Sequence, residues 1–365
     1  MFAVLSNFFE ALLISLAVIA LLIPLSHRFG WLDKPDARKQ HAAPTPAIGG
    51  FGVFLGIVLP AGFAFGLDQA TLSFVFGGLL LVVIGALDDR FDIDWKVRLG
   101  VQLLATLVMI YGADARAENV GPLFGFGDIE LGMLSVPVTI FITLALINVL
   151  NMFDGLDGLI GLVTTAVAAM FVCAALYSGA YDIALALVWV LGALTGFLWF
   201  NLRRPGQAKA RVFLGDAGSS FIGFLLAFVI FRLTQNPGHP VSPILGPYLM
   251  VPPIIDGLVV IVHRARRGVS PFAAGRDHAH HLLLDAGFSV NQIVMLMTAL
   301  TLISGLFGAL GMLLGVPEPV LVMLYIVATF AWFYITGERK RALGSLRWLQ
   351  RRISASPAVQ QPSPN

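Results

Sequence analysis

The sequence predicts an all-α integral membrane protein, a polytopic bundle of about eleven transmembrane helices. Three observations carry that expectation. Of its 365 residues, 58% are hydrophobic and only 12% charged, and the mean hydropathy is +0.86, far from the balance of a soluble domain. Apolar runs of roughly 20 residues, enough to cross a bilayer, recur along the whole chain. Lys and Arg gather in alternate loops, as the positive-inside rule requires of a multi-pass protein.

In chain order the runs fall at 7–26, 47–66, 70–87, 99–113, 131–150, 159–178, 182–200, 213–233, 243–262, 290–315 and 317–336. The basic loops follow the odd-numbered runs, at 27–41, 88–98, 201–211, 263–281 and 337–352. The opposite loops are short or carry Asp114, Glu118, Asp128 and Glu130 with Arg116 alone. The basic loops are therefore expected in the cytoplasm, with the N-terminus outside and the C-terminus inside. The first run lacks a basic n-region before it and a small-residue cleavage site, and reads as a retained helix. A single cysteine, Cys173, lies within a run and leaves no partner for an internal disulfide. Residues 1–337 read as one transmembrane domain and 338–365 as a basic cytoplasmic tail. The tail's end, 353–365, has the Ser-, Pro- and Gln-rich composition of disorder. The basic surface of the tail needs no more than anionic lipid to explain it, and a net charge of +2 calls for no nucleic-acid partner.

The chemistry is concentrated at the basic ends of the runs. Asp88 and Asp89 close the third run, followed by Asp92, Asp94, Lys96 and Arg98. The fifth closes with Asn148-Val-Leu-Asn-Met-Phe-Asp-Gly-Leu-Asp-Gly-Leu159, which brings Asn148, Asn151, Asp154, Gly155 and Asp157 together. Phe213-Leu-Gly-Asp-Ala-Gly-Ser-Ser220 opens the eighth run, and Arg264, Arg266, Arg267, Arg276, His278, His280 and His281 crowd the loop after the ninth. A carboxylate at membrane depth costs at least a few kcal/mol unless paired, hydrated or metal-bound. Hard oxygen ligands from Asp and Asn suit Mg²⁺, which takes one or two carboxylates and completes its shell with substrate phosphates. Arginines opposite them suit phosphate oxygens. Together they point to phosphoryl transfer onto or from a lipid.

Each motif also has a plainer reading. Asp88-Asp89 fits a helix-end pair neutralised by Arg90 and Lys96, the Asn/Asp cluster fits interhelical hydrogen bonding, and Asp216 fits a helix cap. Three close histidines suggest zinc, but adjacent histidines aim poorly at one metal and no cysteine lies nearby. A transporter of anionic substrates would carry charges near the midplane and an inverted repeat, neither of which is visible.

Taken in order, the segments Arg38-Lys-Gln-His-Ala-Ala-Pro-Thr-Pro-Ala-Ile-Gly-Gly50, Asp88-Asp-Arg-Phe-Asp92, Asn148–Leu159, Phe213–Ser220 and Ser270-Pro-Phe through His278-Ala-His-His281 resemble the polyprenyl-phosphate N-acetylhexosamine-1-phosphate transferases, the family of WecA, TagO and MraY. Ser-Pro-Phe and His-x-His-His look like the WecA branch. The resemblance implies transfer of a sugar 1-phosphate, with GlcNAc the first expectation, from a UDP-sugar to undecaprenyl phosphate, with release of UMP. It implies Mg²⁺, with Mn²⁺ as a substitute, held by Asp216 and Asn151. Asp157 matches a position that reads uracil, with Asp154, Gly155 and Asn148 beside it in the nucleotide pocket. Asp88 and Asp89 match a pair acting on the lipid phosphate; Asp154 and Asp157 are further catalytic candidates. Arg98, Lys39, Arg264, Arg276, His278, His280 and His281 would hold phosphate or sugar. The implied location is the bacterial inner membrane, with the site on its cytoplasmic face, at the first membrane step of a cell-surface polysaccharide. A homodimer is compatible with all this. An MraY-type phospho-MurNAc-pentapeptide transferase is the nearest alternative.

Overall fold

The computed structural model describes residues 2–33, 44–235, 241–270 and 275–354. They form fourteen α-helices and a two-stranded ribbon: α1 (Phe2–Phe29), β1 (Leu32–Asp33), β2 (Thr45–Pro46), α2 (Gly49–Phe65), α3 (Gln69–Phe91), α4 (Trp95–Ala113), α5 (Ser135–Phe153), α6 (Leu159–Tyr177), α7 (Tyr181–Asn201), α8 (Gly215–Thr234), α9 (Leu245–Leu249), α10 (Val251–Arg266), α11 (Ala279–Asp285), α12 (Val290–Leu313), α13 (Glu318–Thr336) and α14 (Arg339–Ser354). The all-α, multi-pass architecture is as the sequence predicts.

Among the described residues nine helices are long and apolar enough to cross a membrane. Two of the predicted spans take shorter forms. The run at 47–66 becomes α2, 17 residues with Pro60 inside it. The run at 243–262 is divided into α9 and α10 at Met250, with Pro247 before the break and Pro252-Pro253 after it. Proline lacks the N–H that would continue the helical ladder.

Local chemistry sets the helix ends that matter here. Asp68 caps α3 by accepting from the Thr71 N–H at 2.7 Å. Asp92 then ends α3 in a left-handed conformation, φ 53°, and Asp94 caps α4 through the Lys96 N–H at 2.8 Å. The predicted loop 88–98 is thus a turn of three residues, and Asp88, Asp89 and Arg98 all sit on helices.

Helix α8 is the axle of the bundle. Of its apolar window 89% is buried, against 6% for the peripheral α13. Helices α2, α3 and α5 pack around it, and α1 packs outside on α2 and α7. A Cβ on Gly85 of α3 would collide with the Ala217 backbone, so glycine there lets α3 reach the first turn of α8. The approach to α8 is fixed as well: the N–H groups of Gly49 and Gly50 donate to the carbonyls of Phe213 and Leu214, both at 2.9 Å. The basic tail forms α14, docked on α11 and α13 with Ala342 and Leu346 buried.

Candidate active site

The N-terminal turn of α8 brings the separated motifs together. A cavity of about 70 Å³ is lined by Asp88 from α3, Arg98 and Gln102 from α4, Asn148 and Asn151 from α5, and Asp216 and Ser220 from α8. That volume is enough for a hydrated ion or a phosphate group. Arg98 lies between two carboxylates: it is tightly paired with Asp88 and sits 3.4 Å from Asp216. Asp88 is buried and fully engaged, its second oxygen accepting from the Ile93 N–H at 2.7 Å. Asn151 donates to Asp216 at 2.7 Å and to the Ser219 hydroxyl at 3.0 Å. Asn148 donates to the Gln102 side-chain oxygen, Oε1, at 2.8 Å.

Asp89 has a different setting from Asp88. Its carboxylate accepts from the Asp216 N–H at 3.1 Å and meets the positive end of α8, where a negative charge is favoured. Its other oxygen is buried with no hydrogen-bond partner among the described residues. The adjacent aspartates thus divide: Asp88 orients Arg98, and Asp89 caps the helix that carries Asp216.

Beyond the cavity, Asp154 follows the last residue of α5. Protein surrounds it on most sides, and that burial, with the nearby charges of Asp216 and Asp157, pushes its carboxyl up to about 8. Asp157 is tied to the loop between α7 and α8, accepting from Arg203 at 2.7 Å and from the Ala210 N–H at 3.1 Å. The N–H of the following residue, Gly158, donates to the Asn201 side chain at 2.7 Å, and Asn201 in turn donates to the Val212 carbonyl at 2.9 Å.

The histidines form a second group beside the first. His278 and His280 stack nearly parallel, 5.6 Å between centroids, and His280 stands edge-on to Phe153 at 6.2 Å. A Cβ on Gly155 would overlap the His280 ring, so this glycine lets the α5–α6 turn lie against it. Burial, then the neighbouring His281 and His278, drives the His280 imidazole well below its ordinary value. Burial and Arg276 push His281 down to about 4. The δ-nitrogens of both are buried without a partner among the described residues. Asp256 of α10 organises the group, pairing with His278 Nδ1 at 2.8 Å and accepting from the Ala279 N–H at 2.7 Å.

The remaining candidates lie further out. Arg264 is buried and sits 3.8 Å from Asp277. Arg276 pairs with Asp285 at 3.2 Å, a carboxylate that it shares with Arg339. Lys39 lies outside the described residues, as do 38–43 and 271–274 of the motifs. The residues that the sequence did not single out are Gln102, Arg203, Ser219 and Asp256. Asp256 carried the usable signal, a lone carboxylate in the apolar stretch Val251–Val262.

Five aspartates (Asp88, Asp89, Asp154, Asp157 and Asp216) face two arginines, Arg98 and Arg203, across this region. Among the described residues no three His, Cys, Asp or Glu side chains converge as a closed metal cage. A partly exposed carboxylate in surplus negative charge fits a hard cation that draws its other ligands from substrate.

Comparison with known proteins identifies the family. The family model for glycosyl transferase family 4 matches residues 71–234. The chain is 32% identical over 334 residues to the undecaprenyl-phosphate α-N-acetylglucosaminyl 1-phosphate transferase of Escherichia coli strain K12, covering 90% of each chain. It is 33% identical over 346 residues to the protein of that name from Yersinia pestis, covering 93% of each. For the Haemophilus influenzae protein of the same name the identity is 32% over 331 residues, 90% of this chain and 93% of that one. A multi-pass membrane enzyme with these relatives, the chain belongs to the polyprenyl-phosphate N-acetylhexosamine-1-phosphate transferase family, on its WecA-like branch.

Proposed function

We propose that the protein transfers N-acetylglucosamine 1-phosphate from UDP-GlcNAc to undecaprenyl phosphate, releasing UMP at the cytoplasmic face of the inner membrane. The observation that carries this reading is the juxtaposition of Asp216, Asn151 and Arg98 in one phosphate-sized cavity. The relatives' names supply the acceptor and the sugar, and the product would enter a cell-surface polysaccharide.

An oxygen of the lipid phosphate attacks the donor's β-phosphorus; the bond from that phosphorus to the bridging oxygen breaks, and UMP leaves with the oxygen. Asp216 and Asn151 would hold Mg²⁺, or Mn²⁺ in its place. The metal would supply positive charge against the donor phosphates. Arg98, held in line by Asp88, presents its guanidinium to the acceptor phosphate. A phosphate monoester has its second pKa near 6 and arrives largely as the dianion, so no general base is obligatory. With both Asp88 oxygens engaged, its role is to position Arg98. Asp157 and Asp154 border the nucleotide side, and His278, His280 and His281 border the sugar diphosphate.

Purified protein incubated with undecaprenyl phosphate, Mg²⁺ and UDP-GlcNAc should release UMP, and EDTA or Asp216→Asn should abolish the release. UDP-GalNAc and UDP-MurNAc-pentapeptide in parallel reactions test the sugar. No UMP from any UDP-sugar would refute the reading.

A further inference from the structure

The α7–α8 loop has an outer face that the reaction does not use. Along α7 the less buried positions recur every fourth residue, Leu191, Thr195 and Trp199, and Trp199 is 54% exposed two residues before the helix ends. That narrow stripe is the lipid-facing side of a helix otherwise enclosed, and a Trp at its end marks the membrane–water boundary. Beyond it lies an open cleft of about 630 Å³, lined by Trp199, Arg204, Gln207, Lys209 and Arg211. The Arg204 guanidinium sits 3.6 Å over the Trp199 ring. No carboxylate lines the cleft.

The cleft is built rather than incidental. Arg204 and Gln207 exchange backbone hydrogen bonds at 3.0 and 2.8 Å around Gly206. The buried Gln207 side chain donates to the carbonyls of Phe200 and Leu202, both at 2.9 Å, fastening the loop to the end of α7. The inner face of the same loop presents Arg203 and the Ala210 N–H to Asp157.

We propose that this cleft binds the phosphate of an anionic phospholipid headgroup, and that its occupancy braces the loop that holds Asp157. Three cations at the edge of a lipid-facing helix suit a phosphodiester that arrives with its acyl chains along α7, and Arg offers that phosphate a planar fork. Each cation near an anionic surface adds roughly fivefold to lipid preference. The proposal is independent of which sugar is transferred.

The test uses the full-length protein in nanodiscs of neutral phosphatidylcholine. Phosphatidylglycerol or phosphatidylcholine brominated near the glycerol end of its chains is added at equal mole fraction. The Trp199 fluorescence is isolated by difference from Trp199→Phe. Brominated phosphatidylglycerol should quench it at least threefold more per mole than brominated phosphatidylcholine. The substitutions Arg204→Gln, Lys209→Gln and Arg211→Gln together should bring the two to parity. Lys209→Gln alone, at an exposed position, should shift the ratio part of the way. Amide exchange in 202–211 should slow in phosphatidylglycerol discs. Equal quenching in the parent, a preference that survives the triple substitution, or unchanged exchange would overturn the proposal. So would loss of the preference in 10 mM inorganic phosphate, which would mark a site for soluble anions.

Discussion

Removing the Asp256 carboxylate should loosen the histidine group without touching the cavity at α8. Its two oxygens serve two buried groups, His278 Nδ1 at 2.8 Å and the Ala279 N–H at 2.7 Å, and Asp256, His278 and Ala279 are all under a tenth exposed. Asp256→Ala deprives both of their partner. An orphaned buried polar group costs about 1–3 kcal/mol, so the start of α11 should lose roughly 2–6 kcal/mol of local stability. At tenfold per 1.4 kcal/mol, even the lower figure is about a 30-fold faster amide exchange over 279–285. Turnover, read as kcat/KM for UMP release, should fall at least tenfold, because His278 and His280 lose their fixed positions. Asp256→Asn keeps an acceptor for Ala279 but turns an amide N–H₂ toward His278, so its losses should be smaller on both measures. Exchange and turnover at parental levels in Asp256→Ala would refute the assignment of Asp256 as the organiser of this group.

Two further outcomes follow from the same region. Gly155→Ala should leave the membrane fold intact by size-exclusion chromatography yet cut UMP release more than tenfold, since the added methyl occupies the space of the His280 ring; near-parental activity would mean that the α5–α6 turn shifts freely. Acid should destabilise the protein through His280 and His281. Both are held below their ordinary value when folded, His281 at about 4, so the unfolded chain takes up protons first as pH falls through 6.5, and this part of the stability is lost between there and 4. Thermal unfolding scanned from pH 7 to 4.5 should show a shallower loss in the double variant His280→Gln, His281→Gln, and equal slopes would contradict the burial argument.

The bundle and the positions of its chemistry were legible in the sequence because both leave local signals. Twenty-residue apolar runs announce helices, and an aspartate such as Asp216 or Asp157 at the end of one is conspicuous on energetic grounds. The identities of the sugar donor and the lipid acceptor left no local signal and came from resemblance. The partnerships were not legible. Asp88 and Asp89 are neighbours of the same type, yet a helical turn of about 100° per residue points one at Arg98 and the other at the α8 N-terminus. Arg203 read as one cation in a topogenic loop, and nothing local ties it to Asp157, 46 residues away. The break at Met250 was softened by an apolar surround that hides prolines in a hydropathy window.

The site is built on two footings with unlike freedom to change. Asp216 stands on a helix enclosed by its neighbours, where the backbone of Ala217 abuts Gly85, and a substitution there disturbs the middle of the molecule. The histidines stand at the start of a seven-residue helix, secured through Asp256 and Asp285. On the proposed reading, in which the histidines border the sugar diphosphate, selection for a new donor works on the outer footing by small steps while the inner one is inherited whole. A lineage of such enzymes would diversify in the sugars it accepts long before it altered how the phosphate is transferred.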